Sequence, residues 1–362
     1  KTYSFGILRL MKSTKENKEE HVALYRKYRP QDFGHVIGQD HIVQAISSAI
    51  ADGKVAHAYL LSGGRGTGKT TIARIIAREL GSSPSDIYEL DAASNRGINE
   101  AREIRDNMQT LPFDSKYKVY ILDEVHMFTK EAWNALLKTI EEPPKHVIFI
   151  LATTDIEKVP ETIVSRCQCY TLKKPNDAVL TDVVKNVAKK EGYKILEGGA
   201  ELIALLGYGS FRDTLSTLDK VMSFVKEKEI TRDDIASISG APKEKLVEDF
   251  LTALAEKNIE NGYKVVRDAH DQSIDMEIYT KMIISTLRYA LMLRYAPNMK
   301  KDLAGKITEH DMEYLSRLVE GKPENISTKS LTVLLRAFQS MRYSFISELP
   351  LEIALVEILE SK

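Results

Sequence analysis

The stretch Gly63-Gly64-Arg65-Gly66-Thr67-Gly68-Lys69-Thr70 decides how this chain is read. It follows the apolar run at 57–62 (HAYLLS) and opens an amphipathic stretch at 69–80. The spacing is G-x-x-x-x-G-K-[ST], and a strand before it with a helix after it is the context in which that spacing wraps a phosphate. Glycines let the backbone turn tightly enough for successive N–H groups to point inward at an anion. The start of the following helix adds the positive end of its dipole. On this reading Gly63, Gly64, Arg65, Gly66, Thr67, Gly68, Lys69, Thr70 and Thr71 hold the phosphates of a nucleotide. Lys69 reaches the β- and γ-phosphates, and the Thr70 hydroxyl ligates Mg²⁺.

Working outward, short β-rich runs alternate with helical stretches. The runs are 57–62, 86–91, 118–123, 147–152 and 167–172, and helices are expected over 69–80, 98–109 and 130–141. Such alternation predicts an α/β domain whose parallel sheet is covered on both faces. After Pro175 the strand signal ends and apolar residues recur at helical spacing, with a break at Gly240-Ala241-Pro242. The expected organisation is an extension at 1–21, an α/β core at 22–174, a helical region at 175–241 and an all-α region of five or six helices at 242–362. Residues 12–20 are charged and expected to be loosely ordered. Met11 is a candidate start, with the first ten residues an upstream extension.

The run at 119–122 (VYIL) ends in Asp123-Glu124, about fifty residues after the phosphate loop. Sites in parallel α/β sheets gather at the C-terminal ends of strands. Asp123 is therefore expected beside the loop, orienting Mg²⁺ directly or through water. Glu124 stands where it can polarise an attacking water, which favours nucleotide hydrolysis over nucleotide storage. A strand that merely ends in polar residues is the plain alternative.

The composition sets limits. Among 362 residues, 51 Lys+Arg against 52 Asp+Glu leave a formal charge of −1. Such a chain has no net field to attract phosphate, which excludes a tail-driven nucleic-acid binder. A hydrophobic fraction of 43% with 28% charged residues is ordinary for a globular chain. Nothing approaches the roughly 18 consecutive apolar residues of a membrane span, and no secretory signal is evident at the N-terminus. The two cysteines, Cys167 and Cys169, build neither a disulfide scaffold nor a four-Cys zinc site. They are expected to be reduced, facing the core or the helical region from one side of a strand. The expected compartment is the cytoplasm.

Several further segments carry a resemblance. Tyr25-Arg26-Lys27-Tyr28-Arg29-Pro30, Val36-Ile37-Gly38-Gln39, the phosphate loop and Asp91-Ala92-Ala93-Ser94-Asn95 together resemble an AAA+ clamp loader. Asp123-Glu124-Val125-His126-Met127, the run at 134–144 (NALLKTIEEPP), Leu151-Ala152-Thr153-Thr154 and Ser165-Arg166-Cys167 narrow it to the gamma/tau family of bacterial DNA polymerase III. The likeness is dense from about 22 to 220 and thin beyond. It implies an AAA+ core followed by a helical lid (175–241) and a helical collar (242–362) through which subunits assemble. Implied for the site are Thr154 as sensor 1, Arg212 as sensor 2 on the lid, and Arg166 as an arginine finger acting in trans. With Lys69, Asp123 and Glu124 these form the catalytic set; Thr70 and Asp123 are the metal ligands. Tyr25, Arg26, Pro30, Val36 and Ile37 are implied as the adenine-side wall. Read alone, Arg166 is a surface arginine in a helix-to-strand turn, and Arg26 and Arg29 are solvated charges.

The resemblance implies ATP and Mg²⁺, and as partners other clamp-loader subunits in a hetero-pentamer, a sliding clamp and primer–template DNA. Arg96 and Arg102 are candidate DNA-backbone contacts; Glu100, Glu103 and Asp106 equally make that stretch an ordinary amphipathic helix. The apolar segment at 108–113 (MQTLPF) is a candidate clamp contact. In one respect the chain departs from the family. Gamma/tau subunits usually carry a four-Cys zinc module after the phosphate-loop helix, where this chain has only Gly81-Ser82-Ser83-Pro84-Ser85, so no zinc is expected. A tau-type tail would lie beyond Lys362. The alternatives kept open are a small subunit of replication factor C type, a branch-migration or fork-remodelling ATPase, and a structural subunit that binds ATP without turnover.

Overall fold

In the computed structural model the described residues are 22–303, 307–321 and 323–360. The expected extension at 1–21 lies outside them. The one-turn helix α1 (Leu24–Lys27) and α2 (Asp40–Ala51) lead into β1 (Ala58–Ser62), α3 (Lys69–Glu79), β2 (Ile87–Asp91) and α4 (Ile98–Asn107). Then come β3 (Lys118–Asp123), α5 (Lys130–Glu141), β4 (Val147–Thr153), the one-turn α6 (Glu161–Val164) and β5 (Gln168–Thr171). The expected strands and helices of the α/β part are present, with ends moved by a residue or two.

The five strands form one parallel sheet in the order β2-β3-β4-β1-β5. Side chains alternate across a strand, so each buried strand feeds two cores. Tyr59, Leu61, Val119, Ile121, Ile148 and Ile150 pack on one face with Ile42 and Ile46 of α2 and Ile72 and Ile76 of α3. Leu60, Tyr120, Leu122, Phe149 and Leu151 pack on the other with Ile104 of α4 and Trp133, Leu136 and Ile140 of α5. Being covered on both faces, β1, β3 and β4 read as near-continuous apolar runs. The registers Asp91↔Asp123, Leu122↔Leu151 and Ser62↔Thr153 bring the C-terminal ends of the strands to one edge.

Beyond the sheet the chain is helical: α7 (Asp177–Lys190), α8 (Gly199–Leu206), α9 (Phe211–Phe224) and α10 (Arg232–Ser239), with a two-residue parallel pair β6 (Lys194–Ile195) and β7 (Glu229–Ile230). Side-chain caps set the starts of these helices: Asn176 accepts from Val179 N, Ser210 from Asp213 N, and Thr231 with Asp234 forms a capping box. Gly240, at φ 72°, ends α10 in the left-handed conformation that stops a helix, at the expected break. The collar region holds α11 (Glu244–Ala255), α12 (Ile259–Asp271), α13 (Met276–Tyr295), the one-turn α14 (Lys300–Leu303), α15 (Glu309–Val319), α16 (Thr328–Met341) and α17 (Leu349–Glu360). Among the described residues no helix is long and apolar enough to cross a membrane.

Three arrangements differ from the sequence reading. Lid and collar share one continuous apolar cluster, running from Val184 and Leu218 to Phe250, Tyr279 and Leu355. The segment around Tyr25, expected with the α/β core, packs on the lid instead. Leu24 is buried in the helical cluster, its amide donates to Asp219 Oδ2 at 3.3 Å, and Tyr28 Oη donates to Glu191 Oε1 at 2.5 Å. Cys169 is exposed on the edge strand β5 rather than packed inward, and Cys167 is half-buried against the α5 side.

Candidate nucleotide site

The phosphate loop joins the end of β1 to the start of α3. Gly63, Gly66 and Gly68 have φ of 145°, 68° and 104°, a region that L side chains disfavour. Lys69 is 6% exposed, and its Nζ donates to the carbonyls of Gly63 at 3.0 Å and Gly64 at 2.9 Å. Burial pushes its pKa down, while the nearby carboxylates of Glu124 and Asp123 pull it back up. Thr67 Oγ1 donates to the Gly64 carbonyl at 2.9 Å and braces the loop. Arg65 is exposed, 4.0 Å from Asp213 of α9, and Thr71 is half-buried in the first turn of α3.

Thr70 Oγ1 donates to Asp123 Oδ2 at 2.5 Å. The hydroxyl and carboxylate expected to share a metal ion are thus already side by side. Burial raises the Asp123 pKa, and the Thr70 hydroxyl and Glu124 amide oppose that rise. Glu124 takes the left-handed conformation at φ 49°, uncommon for a non-glycine and often found at functional sites. Its Oε2 accepts from Thr154 N at 3.2 Å and from Thr154 Oγ1 at 2.9 Å. The expected catalytic carboxylate and the expected sensor threonine are therefore hydrogen-bonded to each other across β3 and β4.

His126 stands within a sequence motif that gives it no role, yet its Nδ1 lies 3.4 Å from Glu124 Oε2 and 3.1 Å from the fully buried Thr153 Oγ1. Its place two residues after Glu124 was the only available signal.

A second space of about 610 Å³ opens between the N-terminal segment, α3 and the lid, lined by Tyr25, Arg26, Arg29, Gln31, Arg74, Arg78 and Arg212. Arg74 is held by Glu89 at 2.7 and 2.6 Å, and Arg78 donates to Gln31. Arg212 and Arg26 lie 5.9 and 5.8 Å from the centre of the Tyr25 ring. Tyr25, Arg26 and Arg212 thus line one space. Pro30, Val36 and Ile37 are not among the lining residues: Val36 packs on the sheet core beside α2, and Ile37 is 48% exposed. The contributions of Arg29, Arg74 and Arg78 come from packing between distant segments, which spacing along the chain does not reveal.

Arg166 is set apart from all of these. It precedes β5, whose Gln168 pairs with Tyr59 near the start of β1, whereas the phosphate loop follows Ser62 at the other end. It donates to Glu141 Oε1 at 2.5 Å and to the Thr162 carbonyl at 2.7 Å. Arg96 and Arg102 are exposed at the start of α4. Leu111 and Phe113 are 77% and 84% exposed, on a loop whose Phe113, Asp114 and Ser115 amides all donate to the buried Asp86 carboxylate at 2.6, 2.9 and 2.9 Å. Among the described residues one group has the side-chain types of a metal site, Glu244, Glu248 and His310 of the collar, far along the chain from the phosphate loop.

A parallel sheet in this strand order, a phosphate loop after β1, an acidic pair after β3 and a helical lid against the loop define an AAA+ P-loop NTPase. Solved structures agree on the fold: the Thermotoga maritima RuvB Holliday junction branch migration motor superposes with a TM-score of 0.51 at 23% identity, over 63% of this chain and 80% of that one. A family model described as DNA polymerase III, delta subunit, matches residues 81–176. The DNA polymerase III subunit gamma of Buchnera aphidicola subsp. Schizaphis graminum is 36% identical over 314 residues, 81% of this chain and 86% of that protein. Subunit tau of Bacillus subtilis is 34% identical over 360 residues, 94% of this chain and 63% of that protein. The gamma/tau subunit of Mycoplasma pneumoniae is 38% identical over 272 residues, 70% of this chain and 40% of that protein. The chain belongs to the DNA polymerase III gamma/tau family. It spans 63% and 40% of the length of the Bacillus and Mycoplasma relatives.

Proposed function

We propose that the chain is an ATP-hydrolysing subunit of a replicative clamp loader, which uses ATP to place a sliding clamp on primed DNA. The observation that carries the ATPase reading is the junction of Thr70 with Asp123 and of Glu124 with Thr154 at the rim of the phosphate loop. The loader assignment rests on the gamma and tau names of the relatives.

On this reading the inward N–H groups of the loop bind the phosphates, and Lys69 exchanges its two loop carbonyls for phosphate oxygens. The donor set of one hydroxyl and one carboxylate suits Mg²⁺, a hard cation that takes oxygen ligands. Thr70 and Asp123 would hold the ion, which would supply neutralisation of phosphate charge. Glu124 orients and polarises the attacking water, and Thr154 holds Glu124 until nucleotide competes for the threonine. Arg212 reaches the nucleotide from the lid side, with Tyr25 and Arg26 beside it. Arg166, at the opposite end of the strands from the phosphate loop, serves the site of a neighbouring subunit. Arg96 and Arg102 meet DNA backbone, and Leu111 and Phe113 dock on the clamp as a rigidly held apolar pair. The partners are other clamp-loader subunits, the clamp and primer–template DNA.

The test is ATP turnover by the chain assembled with its partner subunits. Clamp and primed DNA together are expected to stimulate it beyond the sum of their separate effects. Stimulation by DNA that ignores the clamp identifies a DNA-translocating motor instead. Lys69→Ala is expected to abolish turnover under every condition.

A further inference from the structure

The turn at residues 207–210 (GYGS) touches three parts of the molecule. On one side it meets the phosphate loop. The Phe211 amide donates to the Gly66 carbonyl at 3.0 Å, and a Cβ on Gly66 would fall 1.9 Å from the Ser210 hydroxyl oxygen. On its flank the Lys174 chain lies over Gly209, where a Cβ would come 2.2 Å from Lys174 Cε. On the third side it meets the collar. Lys281, midway along α13, donates through Nζ to the Leu205 carbonyl in the last turn of α8. The same Nζ lies 3.5 Å from the centre of the Tyr208 ring. Tyr208 itself sits at φ 52°, a conformation that an aromatic residue keeps only when its surroundings impose it. An ammonium at a helix C-terminus meets the negative end of the dipole, and over a ring it meets the negative face.

We propose that Lys281 is a positioning residue for nucleotide binding: from the collar it fixes the 207–210 turn, and with it Ser210 and Arg212, against the phosphate loop, so that collar arrangement and nucleotide affinity are linked. The proposal rests on the reading of the loop as an ATP site. Linkage is reciprocal, so a partner subunit that shifts α13 changes nucleotide affinity, and bound nucleotide biases the position of α13. The route is short and contiguous: α13, Lys281, the end of α8 and Tyr208, Ser210, Gly66.

The group that makes the link is titratable in a useful range. Burial brings the Lys281 pKa down to about 8, with Asp177 and Glu277 pulling it up and Lys174 pushing it further down. Tyr208, which faces the ammonium, is itself raised to about 12 by burial and by Glu277 and Asp275, so it stays neutral across that range. Above pH 8 the amine loses the charge that strengthens both contacts.

Equilibrium binding of ADP to the full chain, measured between pH 6.5 and 9.5, tests the proposal with wild type, Lys281→Arg and Lys281→Met. Wild-type affinity is expected to fall by roughly fivefold or more across a midpoint near pH 8, the size of an ordinary coupling between sites. Lys281→Met is expected to bind weakly at pH 7 with no step, and Lys281→Arg to bind tightly with no step. Lys281→Met binding as tightly as wild type at pH 7 overturns the proposal. So does a step in Lys281→Arg equal to that of wild type, a comparison that holds even if the Met variant does not fold. Lys69→Ala separates the two layers. Unchanged binding in Lys69→Ala sinks the ATP-site reading itself, whereas loss in Lys69→Ala with no effect in Lys281→Met sinks only the link.

Discussion

Arg166 Nη2 donates to Glu141 Oε1 at 2.5 Å, at the end of the strands opposite the phosphate loop of its own chain. That pairing holds the guanidinium at the surface while leaving it a third exposed. A neighbour's phosphates would offer it a stronger anion. Arg166→Ala is expected to leave ATP affinity of the isolated chain unchanged and to lower turnover of the assembled complex by about 10³-fold or more, the usual effect of removing an arginine finger. Steady-state ATPase rates with and without partner subunits check this. Glu141→Gln frees the arginine, and because the pair is partly exposed its stability effect is expected to stay within about 1 kcal/mol.

Gly66 is the loop position with least freedom. It has φ 68°, and any side chain there would run into Ser210. Gly66→Ala is expected to push the lid off the loop and weaken ADP binding by at least about tenfold, from backbone strain of about 1–3 kcal/mol added to the clash. Fluorescence titration with a labelled nucleotide measures it. A Gly66→Ala/Ser210→Gly pair should recover only part of the loss, since removing the hydroxyl leaves the φ strain.

Glu124 and Thr154 separate binding from chemistry. Glu124→Gln keeps the side-chain shape but not the base, so nucleotide affinity is expected to stay within about twofold while turnover falls by about 10²–10⁴-fold. Single-turnover measurements with saturating ATP distinguish the two. If Glu124→Gln hydrolyses ATP at the wild-type rate, the carboxylate is not the group that polarises water.

Asp86 carries the loop that presents Leu111 and Phe113. Burial alone would raise its pKa, but the Phe113 and Asp114 amides, with the Ser115 and Ser83 hydroxyls, hold it far below the ordinary carboxylate range. A depressed folded-state pKa contributes stability in full above the unfolded value and loses it as acid protonates the group, so this contribution should fade below about pH 4. Asp86→Ala leaves the three loop amides without their carboxylate and is expected to cost about 1–3 kcal/mol in urea unfolding. Leu111→Ala with Phe113→Ala should leave stability nearly untouched, because both side chains are in solvent, and should weaken clamp binding in a pull-down. Unchanged clamp capture would remove this loop from the interface.

Much of this was legible along the chain, for physical reasons. Strands β1, β3 and β4 are buried on both faces and so appear as apolar runs. The phosphate loop and the acidic pair are local motifs whose neighbours in space are also neighbours in sequence. What could not be read depends on packing between distant segments. The two-residue pair β6 and β7 carries too little pattern to register. The lid contacts of Leu24 and Tyr28 join residues 195 and 163 positions apart. Pro30, Val36 and Ile37 follow the resemblance in sequence, yet the cation-rich space is lined instead by Arg29, Arg74 and Arg78. His126 became visible only once the fold of β4 brought Thr153 against it.

If this nucleotide site drives a clamp loader, its turnover answers to clamp and primed DNA together. The most direct measurement is the ATPase rate of the chain with its partner subunits, alone, with clamp, with primed DNA and with both. With both present the rate is expected to exceed the sum of the two separate stimulations and to vanish in Lys69→Ala. A rate that responds to DNA but is indifferent to the clamp would contradict it.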